Sequence, residues 1–541
     1  SATVAGLGET LGSGAMTNDF ESIKSADTIL IIGSNTTENH PVIGSFIKEQ
    51  KRKGKCTLIV CDPRKIEMAK YADVYIRQKS GSDVALLNGL MHVIIRENLH
   101  AAEFVEKNVN NFDKLRETVA RYTPEYVSGI TGVAPELIED AARAYARGPN
   151  SAIFYTMGIT QHVTGTNNVR TVANLALLCG MLGRPGTGVN PLRGQNNVQG
   201  ACDMGCLPDV IPGYQKVALP AARQKAKDVW GADIPETPGL SVVEMMEAAG
   251  EGKIRGLYIM GENSMVTEPD SGHVRHALKN LEFLVVQDIF LTETAELAHV
   301  VLPASSWGEK DGTFTNTCRA VQRVRKAVDS PGEARPDWEI LLAVGKRMGA
   351  PWDDMTSPET IFNAIAKITP SYAGITYGRL EGGSLNWPCP ACDHPGTPIL
   401  YTAGFPRGKA DFSPCEWQAP HEWPDEEYPF LATTGRVLYH YHSGSMTRRS
   451  STGDFIKEMA IEVNPADARS LGCNDGEMIR VSSRRGSVAG AVKVTDRVPA
   501  GMVFLPFHFS ETPANSLTSS QVDPVSKTPG FKVSAVRVEK S

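Results

Sequence analysis

Residues 28–33 read Thr-Ile-Leu-Ile-Ile-Gly, an apolar run that stops at a glycine, and the segment after it decides the fold. A polar loop comes next, Ser34-Asn35-Thr36-Thr37-Glu38-Asn39-His40-Pro41. Then come a helix-like stretch, VIGSFIKEQKRKG, and a second apolar run, TLIVCDPR, that reaches an acid at Asp62. Strand, glycine loop, helix, strand and acid is the layout of a nucleotide half-site in a parallel α/β sheet. The glycine lets backbone N–H groups approach a diphosphate at a helix N-terminus. The acid at the next strand end is placed to accept hydrogen bonds from a sugar or a base. The same order returns at GLYIMGENSMVTEPD (256–270), with HVRHALKNLE as the helix and FLVVQDIF carrying Asp288. Gly33 to Asp62 spans 29 residues and Gly261 to Asp288 spans 27, so the spacing recurs with the pattern. Neither copy has the G-x-G-x-x-G fingerprint, and the duplication carries the reading. It predicts a protein that holds two nucleotides, or one ligand with two nucleotide arms.

Composition limits the remaining possibilities. The chain has 541 residues, 41% apolar and 21% charged, which is globular composition. That length allows roughly three or four domains. A net charge of -6 and a pI near 6.1 leave no basic excess to displace counterions, which argues against a phosphate-backbone binder. Lys51-Arg52-Lys53-Gly54-Lys55 reads as the solvated end of a helix before a strand. No apolar run approaches the ~20 residues of a membrane span. The ten cysteines lack a regular disulfide spacing, which predicts reduced thiols and a cytoplasmic setting. Cys389-Pro-Ala-Cys392 has metal-ligand spacing, but no second CxxC accompanies it, and it reads as a Pro-rich loop.

The predicted fold class is α/β: two related nucleotide-binding domains on parallel sheets, followed by a C-terminal β-barrel-like domain. Residues 1–195 alternate strands and helices, including LLNGLMHVIIREN, PELIEDAARAYARG and a buried strand in SAIFYTMG. Residues 196–307 carry the second half-site, and 308–400 are mixed and punctuated by Pro and Gly. Residues 401–541 form the last domain, with β patterning in EYPFLATTGR, GMVFLPFHF and FKVSAVRVE. A hairpin is predicted in EMIRVSSRRGSVAGAVKVT, turning near Arg484-Arg485-Gly486.

One segment, RGQNNVQGACDMG (193–205), gathers an arginine, amides, a cysteine, an acid and three glycines. With TVAGLGETLGSGAM, CDPRKIEMAKYADVYI, MGITQ, MGENSMVTEPD, VVQDIFLTETAELAHVVLPASSWGEKDGTFTNT and SKTPGFKVSAVRVE, it closely resembles the catalytic subunit of molybdopterin-dependent formate dehydrogenases. That group lies within the dimethyl sulfoxide reductase superfamily, and the resemblance covers essentially the whole chain. It implies that the two half-sites hold the guanosine arms of a bis(molybdopterin guanine dinucleotide) cofactor carrying Mo or W. It also makes 193–205 a substrate-side loop, whose amides and arginine face a buried metal centre. Arg193 and Gln195 are the implied catalytic residues. A guanidinium can hold a carboxylate by two parallel hydrogen bonds, and formate is the smallest carboxylate. Gln195 is expected to orient substrate or a pterin.

Cofactor contacts are implied at Gly33, Asn35, Asp62 and Arg64, at Gly81 and Asp83 in the KSGSD loop, and at Met157 and Gln161. The second half-site takes Gly261, Glu262, Asn263, Thr267, Gln287 and Asp288. Ser305, Asp337, Arg436, His440, Asn515, Phe531 and Lys532 complete the set. His442 and His508 match no role and read as satisfied structural histidines.

The family also carries a cysteine cluster for one [4Fe–4S] centre, then Cys or Sec followed by His, directly before the segment matching Ser1-Ala2-Thr3-Val4-Ala5-Gly6-Leu7. This sequence has no CxxCxxxC cluster. The metal ligand, a catalytic histidine and the cluster are therefore expected ahead of Ser1, with 308–400 packing near that iron–sulfur domain. A selenocysteine codon read as a stop would divide a gene at this point. A degenerate scaffold subunit is the competing explanation, and the joint presence of Arg193, Asp62 and Asp288 favours the divided enzyme. The expected reaction is reversible two-electron oxidation of formate to CO2, with nitrate reduction as the related alternative. Expected partners are iron–sulfur electron-transfer subunits and the N-terminal fragment of the same subunit, with no nucleic acid and no membrane span.

Overall fold

The computed structural model describes residues 2–541; Ser1, and the metal ligand expected just before it, lie outside them. The chain forms two compact units. One gathers Ser1–Gly194, Val266–Gly272 and Ile399–Ser541, and the other Gln195–Met265 and His273–Pro398.

The first unit is built on a parallel sheet in the order Val74–Ile76, Thr57–Cys61, Thr28–Ile32, Ser151–Tyr155, Gly188–Pro191. Strands covered on both faces must be apolar throughout rather than alternating. TILII and SAIFY meet that demand, with every residue of both buried. The helices Asp83–Arg96 and Gly165–Leu178, themselves almost wholly buried, supply much of the covering core. Pro41 opens the helix Pro41–Arg52, where its missing N–H costs nothing, and the Lys51–Lys55 run closes it as the sequence predicts. Strand order reverses between 28–32 and 151–155, neighbours whose onward connections leave in opposite directions. The crevice at their carboxyl ends is where ligands bind in open α/β sheets.

The same unit ends in a closed six-stranded barrel, in the order Phe430–Gly435, Met502–Pro506, Ala460–Val463, Ser487–Val494, Met478–Ser482, Ser534–Lys540. The predicted hairpin turns where expected, with Ser483 N–H donating to Gly486 O at 2.8 Å. The strand 460–463 was not legible, since AIEV is short and carries an acid. That acid has a purpose. Glu462, 4% exposed, accepts two hydrogen bonds from the Arg64 guanidinium, each 2.7 Å, and Arg64 lies over the Phe504 ring at 3.8 Å. Arg497 joins the cluster through Glu38 at 2.7 Å. Together they fasten the barrel to the parallel sheet.

The second unit has a smaller parallel sheet, Val300–Pro303, Phe283–Asp288, Gly256–Met260, in that order. Residues 308–400 hold an antiparallel sheet of Gly312–Thr315, Ala320–Val324 and Leu385–Asn386 and the helices Asp337–Arg347 and Pro358–Ile368. No helix among the described residues is long and apolar enough to cross a membrane.

Candidate functional site

The two half-sites share one piece of backbone geometry. Gly33 has φ +57° and donates its N–H to Cys61 O at 3.0 Å, and Gly261 has φ +63° and donates to Gln287 O at 2.9 Å. In each copy the acceptor immediately precedes the acid, Asp62 or Asp288. The left-handed turn thus pins the loop to the next strand end. At Gly33 a side chain is also excluded sterically, because a Cβ would lie 2.8 Å from the Gly158 carbonyl carbon. Gly33→Ala should therefore cost on the order of 2–4 kcal/mol, combining positive φ with overpacking, read as a lowered unfolding midpoint.

After Gly33, every residue from Ser34 to His40 carries a buried polar side-chain atom without a hydrogen-bond partner in the protein. Asn35 caps the next turn through Oδ1, 3.4 Å from Glu38 N, and leaves Nδ2 bare. Orphaned polar atoms are rare in native interiors and call for a partner. Seven in succession at the carboxyl end of a strand suit a polar ligand. Met157 and Gln161 bound the short helix Met157–Thr160 across the crevice, where Gly158 N–H and Thr156 Oγ1 both donate to Gly33 O.

Asp62, Asp83 and Lys532 form a buried charged group here. Burial pushes the Asp62 carboxyl up to about 6, against the opposing Arg64 N–H and guanidinium. Burial raises Asp83 to about 7, opposed by the Gln78 amide at 3.1 Å and helped by Asp62. Burial lowers the Lys532 ammonium to about 8, offset by Asp62, and Lys532 donates to Thr434 O at 2.7 Å. Both acids titrate higher folded than unfolded, so between about pH 4 and 7 the folded chain binds more protons. Their contribution to stability is full at low pH and falls as pH rises through that window. A ligand donating hydrogen bonds to Asp62 should reverse the shift and release protons on binding. Calorimetry of GDP binding at pH 5.5 in buffers of different ionisation enthalpy measures this, and Asp62→Asn should abolish it.

The other expected residues take up varied places. Arg64 spends its guanidinium on Glu462 and contributes its N–H to Asp62 Oδ1 at 2.9 Å. Gly81, φ +82°, is held by Trp417 Nε1 donating to its carbonyl at 2.9 Å. Gln287 takes a hydrogen bond from Tyr258 at 2.5 Å and donates to Asp337 at 2.7 Å, while Lys310 pairs with Asp337 and donates to Ser305 O at 3.0 Å. Gln287, Ser305 and Asp337 are thus brought together. Asn263 is engaged with Glu293 and Thr294, and Glu262 is exposed. Asp288 accepts from Ile289 N–H at 2.7 Å. Asn515 donates to Val266 O and Thr267 O. The Phe531 carbonyl accepts from Thr434. His440 uses both ring nitrogens inside the protein, against Thr447 and Ile456.

Arg193, 9% exposed, comes just after the strand 188–191 at the same carboxyl edge and donates to Gly14 O at 3.2 Å. Gln195 and Asn196, expected to face a buried centre, are exposed, while Asn197 turns inward to accept from Thr315 N–H at 2.8 Å. His508 is satisfied through His442 O and Val437 N–H, as expected of a structural histidine. His442 does more than fill space: its ring packs against Gly194 and lies 3.5 Å from Arg436. His40, absent from the expected set, reaches Arg193 O at 2.7 Å. A loop histidine directly before a helix-opening proline was the available signal. Cys389 is buried beneath Arg379 and Cys392 is exposed; all ten cysteines are free thiols.

Two glycine turns pinned alike to the next strand end, a closed barrel and a buried arginine at the carboxyl edge of the first sheet make up the frame of the site. Residues 3–347 match the molybdopterin oxidoreductase family and 430–535 the molydopterin dinucleotide binding domain. The chain belongs to the molybdopterin oxidoreductase family. Within it, close relatives are named as formate dehydrogenase alpha subunits. It is 50% identical over 544 residues to F420-dependent formate dehydrogenase 1 subunit alpha of Methanococcus maripaludis, covering 100% of this chain and 80% of the relative. It is 40% identical over 545 residues to formate dehydrogenase H of Escherichia coli, covering 99% and 76%. Acetylene hydratase from Pelobacter acetylenicus superposes with a TM-score of 0.81 at 20% identity, covering 100% of this chain and 81% of that one, a likeness of fold alone.

Proposed function

We propose that the chain is the catalytic part of a formate dehydrogenase that binds a bis(molybdopterin guanine dinucleotide) cofactor and oxidises formate reversibly to CO2. The observation that carries this reading is the buried Arg193 guanidinium, adjoining a loop of seven residues with unpartnered polar atoms. The residues fit the cofactor's chemistry. One dinucleotide arm would meet the 33–40 loop, with Asp62 accepting from the paired N–H donors of a guanine. The other would meet Gly261, Gln287 and Asp288. Asp62→Ala and Asp288→Ala should each weaken cofactor retention, since guanine donors left unpaired cost ~1–3 kcal/mol. Unchanged molybdenum or tungsten content in the purified double variant would count against these roles.

When bound, the cofactor's metal supplies the two-electron acceptor. Arg193 holds the formate carboxylate by two parallel N–H···O bonds, which directs the C–H away from the guanidinium. Its burial keeps water from competing, so the charge-assisted pair is stronger than at a surface. Formate gives up two electrons and one proton as it becomes CO2, and loss of the carboxylate charge ends the pairing and frees the product. An iron–sulfur partner subunit, with a [4Fe–4S] cluster supplied outside these residues, would take the electrons onward, in the cytoplasm. The test is a dye assay with both substrates: formate should reduce a viologen, and nitrate should not oxidise the reduced dye. The opposite pattern would assign the chain to nitrate.

A further inference from the structure

The Arg193–Gly194 peptide is gripped from two sides within the first unit. On one side His40, the residue before the helix-opening Pro41, places Nε2 2.7 Å from the Arg193 carbonyl oxygen. On the other, the His442 ring lies so close to Gly194 that a Cβ there would fall 2.6 Å from its Cε1. A side chain at position 194 would have to displace that ring. We infer that His40 and His442 are positioning residues, an imidazole clamp that fixes the peptide from which Arg193 reaches formate. The inference rests on the formate-holding role proposed for Arg193, and concerns how that guanidinium is aimed.

Four observations support it. The Arg193 carbonyl can only accept, so His40 must carry its proton on Nε2, and its buried Nδ1 has no partner in the protein. An unpartnered ring nitrogen is not what packing alone would select, whereas a fixed tautomer suits a dedicated donor. Burial lowers His40 to about 4, with the Arg193 carbonyl opposing and the Arg436 charge assisting. Burial and then Arg436 likewise lower His442 to about 4, against its hydrogen bond to Gly194. Both rings are therefore neutral near pH 7. Arg436, 3.5 Å from the His442 ring, keeps an unpartnered buried Nε, so the clamp is backed by a second guanidinium. Finally, Arg193 itself donates to Gly14 O, which orients the side chain only if its own backbone is fixed.

The clamp should be tested with His40→Ala, His40→Gln, Gly194→Ala and Arg193→Ala, alone and combined, in the holoenzyme. His40→Ala should raise the KM for formate about tenfold with little change in kcat, and His40→Gln, whose amide can still donate to Arg193 O, should stay within about threefold of wild type. Gly194→Ala, which must displace His442, should resemble His40→Ala. In the Arg193→Ala background, His40→Ala should cost less than about twofold more, because it acts only through Arg193. A second readout needs no turnover: phenylglyoxal should modify Arg193 about fivefold faster in the cofactor-free His40→Ala protein, with Arg64 unaffected. Additive losses in the double variant, or equal effects of Ala and Gln, would overturn the clamp. A wild-type enzyme that ignores formate would instead remove the proposed reaction, while the Arg193 modification rates would still decide the clamp.

Discussion

Arg193→Lys should lower kcat/KM for formate by about 100-fold, the loss of roughly 2–3 kcal/mol of bidentate, charge-assisted hydrogen bonding. Lysine keeps the charge but presents a single ammonium in place of a planar fork, so one carboxylate oxygen loses its partner. Both KM and kcat should suffer, because a carboxylate held at one point can turn its C–H out of line. Steady-state kinetics with a viologen acceptor, normalised to metal content, give the result directly. Wild-type constants in that variant would remove Arg193 from the reaction.

Glu462→Ala should have the largest effect on stability, about 3–5 kcal/mol, because it leaves the Arg64 guanidinium buried without its carboxylate. Burial pushes Glu462 up, yet the Arg64 and Arg497 guanidiniums override it and hold the carboxyl below the usual range. Arg64 is locked between that carboxylate and the Phe504 ring, so it cannot turn to water without opening the seam between barrel and sheet. Replacing both partners, Arg64→Met with Glu462→Met, should cost less than Glu462→Ala alone, since no charge is then stranded. Denaturant unfolding of the three variants tests this. A Glu462→Ala protein within about 0.5 kcal/mol of wild type would mean that water reaches Arg64.

The fold was legible where a single constraint dominates. Short continuous apolar runs such as TILII and SAIFY, each bounded by turn residues, read as strands covered on both faces, and Gly33 and Gly261 mark the turns after two of the parallel strands. The barrel strand Ala460–Val463 escaped notice because Glu462 breaks the apolar pattern, and its partner Arg64 lies 398 residues away. The same distance hid the job of Arg64, whose side chain serves the seam while only its N–H serves Asp62. In the Arg193 loop, residue types suggested inward-facing amides, but orientation is set by neighbours that no local pattern reveals. Asn197 finds Thr315 N–H, whereas Gln195 remains exposed. His40 and His442 are likewise defined by the peptide they touch, which lies far from both in sequence.

The stoichiometry of guanine nucleotide to metal is what most directly tests the proposed bis(guanine dinucleotide) cofactor. Acid hydrolysis of the purified protein, with GMP quantified by chromatography and molybdenum and tungsten by mass spectrometry, measures it most directly. Two GMP should be released for each metal atom, with Asp62→Ala and Asp288→Ala lowering both together. One GMP per metal, or metal without any guanine nucleotide, would contradict it.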